Sequence, residues 1–187
     1  MRKRIVVQAG HQPPLEPGFE ADTGADGERE LDVAIQHALV RLLRLDDRFQ
    51  PIPLPGHIPR GTQADAGIFL HCDGFDENPS AKGYAFGFPP EFPVNKRLAD
   101  LIAEEFDRIP DRSARRADNP TDDAKRYYGF SRVDAPGPEV LVEHGFLTND
   151  DDRAWLHRHV AETARAEYVA LCRFYGLAPL GAGGGTG

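Results

Sequence analysis

The sequence predicts an α/β fold built in layers, on three observations. Short apolar runs of the kind that form buried strands alternate along the chain with segments whose apolar residues recur at helical spacing. The most continuous run, residues 66–72, ends in polar residues, as central strands do when they deliver side chains to a site. The chain has 187 residues, 40% of them hydrophobic, which suffices for one domain with a substantial core.

The first predicted elements are a strand and a long helix. Residues 4–9 form an apolar run that ends in Gly10 and His11. The following stretch, 12–26, is rich in proline, glycine and acidic residues and is predicted to be a loop. A helix of about four turns comes next, with Asp26 as its expected N-cap. Its apolar positions recur every three or four residues: Leu31, Ala34, Ile35, Ala38, Leu39, Leu42 and Leu43.

The middle of the chain continues the alternation. Residues 66–72 predict a central strand and residues 82–88 a further strand. Apolar positions between residues 94 and 106 predict a second amphipathic helix. The segment 110–138 is polar and rich in Arg, Asp and Pro, and we expect a long loop there, of the kind that is often functional.

The last elements are a short strand and a final helix. Residues 139–142 form an apolar run that leads into Glu143. One long helix is then expected, capped by Asn149 or Asp150 and closed by Gly176.

Composition excludes several classes of protein. The net charge of −8 argues against a partner such as duplex nucleic acid, whose phosphates need basic side chains. Cys72 and Cys172 are the only cysteines and lack the spacing of a disulfide framework or a zinc finger. No apolar stretch is long enough to span a membrane, and the basic N-terminus lacks the apolar region of a signal peptide. We therefore expect a catalytic domain over residues 1–178 and a glycine-rich linker or tail over 179–187.

Three residues capable of binding a metal stand at predicted strand ends or helix starts. His11 follows the first strand, Glu28 opens the first helix, and His71 lies near the end of the central strand. Two imidazoles and one carboxylate, with a coordination position left open, form the usual ligand set of a hydrolytic zinc centre. Each residue alone is weak evidence, because single histidines at strand ends are common and acidic residues favour first helical turns for electrostatic reasons.

The combination resembles the zinc-dependent N-acetylmuramoyl-L-alanine amidases of the amidase-3 type, which occur as bacterial cell-wall hydrolases and phage endolysins. Residues 9–11 match the family's Gly-His motif, and 28–33 (ERELDV) match its Glu-Lys-x-Leu-Asn-Leu segment. Residues 69–73 (FLHCD) stand in place of Ser-Ile-His-Ala-Asn. Residues 141–149 (LVEHGFLTN) reproduce the most specific block almost entirely.

The sequence departs from the family at two points near the site, and a second glutamate lies close to the expected ligand. Gln12 and two prolines replace the usual Gly-Gly after the first histidine, and Asp73 replaces an asparagine, which adds negative charge near the site. Glu30 stands two residues after Glu28 and competes for the ligand role. The two point about 200° apart on a helix, so only one can serve, and the motif favours Glu28.

The resemblance implies the fold, the metal and the chemistry. It implies a three-layer α/β fold whose sheet is mostly parallel (mixed), has about six strands and carries helices on both faces. It implies Zn2+ held by His11, Glu28 and His71, with Glu143 as the catalytic residue. The substrate would be peptidoglycan, cleaved between N-acetylmuramic acid and the L-alanine of the stem peptide.

The resemblance also shapes our expectations of partners and location. We expect a monomer that acts on the cell wall, with room for a wall-binding domain after the glycine-rich tail. A chain without a signal peptide fits cytoplasmic synthesis and phage-type release, and a bacterial amidase whose leader was removed fits equally.

Two other classes of function remain open from the sequence. A zinc carboxypeptidase or a small-molecule amidohydrolase could use the same scaffold, because fold and ligand set do not fix the substrate. A closed pocket with an arginine for a free carboxylate would favour the peptidase, and a long shallow groove would favour the wall polymer. A non-catalytic wall-binding module is less consistent with a chain that has all four functional positions.

Overall fold

A mixed sheet of five strands organises the computed structural model, which describes residues 1–11 and 24–181. The strands lie in the order β2-β1-β4-β7-β5, and all are parallel except β5, which runs antiparallel to β7. A separate pair, β3 and β6, forms a small parallel sheet. The strands are β1 (Lys3–Ala9), β2 (Phe49–Leu54), β3 (Thr62–Gln63), β4 (Ala66–Asp73), β5 (Ala85–Gly87), β6 (Val133–Asp134) and β7 (Glu139–Phe146).

Five α-helices and one 3-10 helix cover the sheet. They are α1 (Glu28–Leu45), α2 (Pro93–Phe106), α3 (Asp122–Lys125), the 3-10 helix (Tyr128–Ser131), α4 (Asp150–Arg158) and α5 (Val160–Phe174). None of these described helices has the length and apolarity that crossing a membrane requires. Residues 12–23 of the predicted loop over 12–26 and residues 182–187 of the glycine-rich tail over 179–187 lie outside the described residues.

The predicted α/β class is confirmed, with five strands in the described main sheet instead of about six. The sequence pattern missed β2, because Pro51 and Pro53 interrupt its apolar pattern. These prolines pair in register with Ile5 and Val7 of β1 and carry no N–H groups. A further strand therefore cannot receive hydrogen bonds from these two positions, which disfavours pairing along this edge of the sheet.

The two faces of the sheet are covered unequally. The large core cluster joins one face of the sheet to α1, α2, α4 and α5. The opposite face is covered by thinner structure: α3, the 3-10 helix and the small sheet pack on Val6, Phe69 and Leu141. Side chains alternate between the faces along each strand, so Gln8, His71 and Glu143 lie on the thinly covered face.

The segment 110–138, which we expected to be a loop, contains α3, the 3-10 helix and β6. Thr121 caps α3 by accepting a hydrogen bond from the Ala124 amide. The aromatic rings of Tyr127 and Phe130 pack on Phe69 at centroid distances of 5.4 and 5.5 Å. Tertiary packing of a few apolar side chains therefore orders a segment whose overall composition is polar.

Two predicted helix boundaries differ from the structure. Gly27, with φ of 82°, occupies the N-cap position of α1, so Asp26 is not the cap. The single final helix is two helices, because His159 leaves helical geometry and stacks on Trp155 at 4.3 Å. Asn149 caps the first of them by accepting hydrogen bonds from two backbone N–H groups, and Gly176 follows the second with φ of 68°.

Candidate metal centre

The candidate site lies where the parallel strands β1 and β4 end, next to β7. Ligand sites of open parallel sheets form at the carboxyl ends of the strands. His11 follows β1, His71 is near the end of β4, and Glu143 pairs in register with His71 from the neighbouring β7. Glu28, in the first turn of α1, completes the group.

The three predicted ligands converge on one point. The Nε2 atom of His11 and the Nδ1 atom of His71 each lie 3.2 Å from Oε1 of Glu28. The imidazole rings are edge to face, with centroids 5.0 Å apart. One ligand atom from each residue lies within 4.8 Å of the others, which is close enough for all three to contact a single ion.

Backbone amides hold the Glu28 carboxylate in place. The Cys72 N–H donates to Oε1 at 3.0 Å, and the Ala25 N–H donates to Oε2 at 2.8 Å. Burial raises the pKa of Glu28, but hydrogen bonds with His11 and His71 outweigh it and lower the pKa to about 2. The side chain is therefore an anion at neutral pH, and it is only 3% exposed.

Glu30 does not enter the cluster. Its side chain is exposed and pairs with the guanidinium of Arg29 at 2.8 Å. The geometry thus separates the two glutamates in the way the helical angle between them requires.

The backbone of Gly10 and His11 is tightly constrained at the cluster. A Cβ atom on Gly10 would lie 2.5 Å from Cε1 of His71 and 2.8 Å from Oδ2 of Asp32, far inside normal contact. His11 itself has φ of 54°, a left-handed conformation that is uncommon for a residue with a side chain. Such conformations often occur at functional sites, where the surrounding structure holds them in place.

Glu143 faces the same side of the sheet as His71. Its Oε2 atom is out of contact with solvent and has no hydrogen-bond partner among the described residues. Burial and the nearby charges of Asp73 and Glu28 raise its pKa well above the usual range, against the opposing influence of Arg116. A carboxylate with a raised pKa accepts a proton more readily than an ordinary one.

Arg116 balances the extra charge of Asp73. Its Nη2 atom forms a close ion pair with Oδ2 of Asp73, and its Nε atom donates to the Gly83 carbonyl at 3.0 Å. The guanidinium also lies over the Phe146 ring at 4.4 Å. No sequence pattern indicated this partner, because Arg116 comes from the polar segment that predicted only a loop.

A second group of possible ligands, Asp32, Cys72 and His144, lies beneath the first. Both ring nitrogens of His144 are within 2.9 Å of other partners, the His71 carbonyl oxygen and Oε1 of Glu167. Burial raises the pKa of the Cys72 thiol, which favours its neutral form. This group therefore forms part of a buried hydrogen-bonded network.

The charges around the first cluster favour a cation. Burial, followed by the charges of Glu28 and Glu143, raises the pKa of Asp32, whose Oδ2 atom has no partner among the residues described. Three carboxyl groups with little exposure to water thus lie close together. A dication bound by His11, Glu28 and His71 would relieve their repulsion, and the nitrogen and oxygen donors suit zinc.

A groove of about 650 Å³ adjoins the cluster. Residues 24–26, the turn after β4 (74–79) and the turn after β7 (147–148) line it, together with Arg153. Gly24 is the point of contact, because a Cβ atom there would lie 2.2 Å from Oε2 of Glu28. The groove therefore lies next to Glu28, with Gly24 between them.

The family model for N-acetylmuramoyl-L-alanine amidases of the Amidase_3 type matches residues 5–172, which include all four predicted site residues. The chain belongs to this N-acetylmuramoyl-L-alanine amidase family. Members of this family hydrolyse the amide bond between N-acetylmuramic acid and L-alanine in peptidoglycan. The family therefore acts on the cell wall. No protein in a comparison with curated sequences matches the chain.

Solved structures of amidases share the fold at low sequence identity. AmiC2 of Nostoc punctiforme is 15% identical, with a TM-score of 0.69 over 93% of this chain and 97% of that one. The CwlV catalytic domain from Bacillus (Paenibacillus) polymyxa var. colistinus is 13% identical, with a TM-score of 0.68 over 94% and 99%. The amidase of Mycobacterium smegmatis is 17% identical, with a TM-score of 0.68 over 93% and 97%.

We expect Gly10→Ala to distort the site, since the added methyl group overlaps the His71 ring. The variant should lose about 1–3 kcal/mol of unfolding free energy and shift the NMR signals of the His71 imidazole. Urea unfolding and imidazole 15N spectra measure the two effects. Gly67→Ala on β4 is the control, because its nearest contact is the Phe69 ring at 3.0 Å, away from the cluster. Wild-type stability and unchanged His71 signals in Gly10→Ala would contradict the packing described.

Proposed function

We propose that this amidase is zinc-dependent, with His11, Glu28 and His71 as metal ligands and Glu143 as the catalytic residue. The observation that carries the proposal is the convergence of three ligand atoms within 4.8 Å beside a carboxylate on the adjacent strand. We further propose that residues 1–178 form the catalytic domain, which the end of α5 at Phe174 supports.

Bound zinc would supply a Lewis acid for the scissile carbonyl and lower the pKa of water from 15.7 toward about 7. The protein's own residues handle the protons. Glu143 takes a proton from the attacking water and passes it to the alanine nitrogen as the amide bond breaks. Its Oε2 atom has no competing hydrogen bond among the described residues, so it is available for this task.

The groove is poorly suited to hold a free C-terminal carboxylate, which argues against the carboxypeptidase alternative. Its described lining carries the acidic residues Asp26, Asp76 and Glu77, and its Arg153 already pairs with Asp150 at 2.5 Å. Arg60, Arg126 and Arg132 are not among the lining residues. A carboxypeptidase would need an unpaired cation there to hold the carboxylate of its substrate.

We expect Glu28→Gln to lose zinc and Glu30→Gln to retain it. The amide that replaces the Glu28 carboxylate carries no charge to offset that of zinc, whereas Glu30 only pairs with Arg29 on the surface. Competition with a chromophoric chelator gives both affinities, and peptidoglycan hydrolysis by Glu30→Gln should match wild type. Equal zinc affinity in the two variants would overturn the assignment of Glu28.

We expect Glu143→Gln to bind zinc but to hydrolyse slowly. Losing a general base and acid lowers kcat by about 10²–10⁴-fold, while the three ligands remain. The assay follows newly exposed L-alanine amino groups on purified peptidoglycan, with wild type, the variant, and chelated enzyme before and after zinc is restored. A variant that keeps wild-type kcat would contradict the catalytic role of Glu143.

If wild type binds zinc but releases no alanine amines, the proposed metal site stands and the proposed peptidoglycan substrate is wrong.

A further inference from the structure

We propose that Tyr127 is a positioning residue that selects the His71 nitrogen available to the metal. The inference rests on the proposed zinc site. The phenolic oxygen of Tyr127 lies 3.0 Å from Nε2 of His71, on the opposite side of the imidazole from Glu28. The two rings are edge to face, with centroids 5.1 Å apart.

The direction of the hydrogen bonds follows from Gln8. The Nε2 amide of Gln8 donates to the Ala9 carbonyl at 3.0 Å, so its Oε1 atom is the end that faces Tyr127. An amide oxygen only accepts, and the Tyr127 hydroxyl donates its one hydrogen to it at 3.1 Å. The phenolic oxygen must then accept the hydrogen bond from the His71 Nε2–H.

This arrangement leaves a lone pair on Nδ1 of His71. That atom lies 3.2 Å from Oε1 of Glu28, which is itself an acceptor. Two acceptors at this distance repel each other unless a proton or a metal ion lies near both. Tyr127 therefore prepares His71 to bind a cation through Nδ1, and the bond from Nε2–H to Tyr127 fixes the orientation of the ring.

Rigid surroundings keep the Tyr127 hydroxyl at this position. Gln8 is fully buried on β1 and pairs in register with Phe69 of β4. The Tyr127 ring contacts Phe69 and Phe130 at 5.4 and 5.9 Å, and Tyr128 at 4.8 Å. The sheet thus fixes the position of Gln8, and the aromatic rings on its thinly covered face fix the position of Tyr127.

Tyr127→Phe tests the proposal, because it removes the hydroxyl and keeps the ring that packs on Phe69. We expect its zinc dissociation constant to rise about 10–100-fold, the usual effect of losing such a partner of a metal-binding histidine. Tyr175→Phe is the matched control, since the Tyr175 hydroxyl donates to the Asp65 carbonyl at 3.4 Å and contacts neither Tyr127 nor His71. The control should bind zinc as wild type does.

Three further measurements separate positioning from other roles. Zinc-saturated Tyr127→Phe should recover most of the wild-type kcat, and 15N spectra of zinc-free wild type should show the proton of His71 on Nε2. Gln8→Met, which removes the acceptor of the Tyr127 hydrogen, should weaken zinc binding in the same direction. It also serves as the second variant if Tyr127→Phe unfolds.

The outcomes distinguish this inference from the zinc proposal itself. Wild type that binds no zinc would refute both. Zinc-dependent wild type with unchanged zinc affinity in Tyr127→Phe would refute only the role of Tyr127. A loss of kcat at saturating zinc, with unchanged affinity, would mean that the phenol acts on the substrate and would also overturn the positioning role.

Discussion

The close approach of three carboxyl groups with little access to water, those of Glu28, Asp32 and Glu143, is the constraint on this end of the sheet. Burial is the main cause of the raised pKa of Asp32 and of Glu143, and the charge of Glu28 adds to it. Burying like charges together costs free energy unless a proton or a cation offsets them. Two imidazoles face the Glu28 carboxylate, each 3.2 Å from its Oε1 atom, and a dication bound there would add further positive charge.

The fold meets that need by bringing together the ends of three strands and one helix. Parallel strands β1, β4 and β7 set His71 beside Glu143, and α1 supplies Glu28 from its first turn. The long helices stabilise one face through a continuous apolar core. The other face of the described sheet carries a thin layer of aromatic rings and short helices, in which the Tyr127 ring packs edge to face on the His71 ring.

The motifs predicted most of the site because its residues stand at element boundaries that local patterns mark well. His11, Glu28 and His71 converge as their places at strand ends and at a helix start led us to expect, and the motif favoured Glu28 over Glu30. The partners of these residues were hidden, since Tyr127 and Arg116 lie in a polar segment and reach the site only through tertiary contacts. Strand β2 was missed for a local reason, because alternating prolines obscure its pattern while they suit an edge strand. The split of the final helix depends on His159 stacking against Trp155, which no periodicity reports.

X-ray absorption spectroscopy of the zinc-loaded protein tests the central claim most directly. The account predicts only nitrogen and oxygen neighbours at about 2.0–2.2 Å, with two imidazoles in the fitted shell. The same shell should lose one imidazole in His71→Ala. A sulfur neighbour at about 2.3 Å would instead mean that zinc binds Cys72 in the lower cluster, and would contradict the assignment of His11, Glu28 and His71 as the ligands.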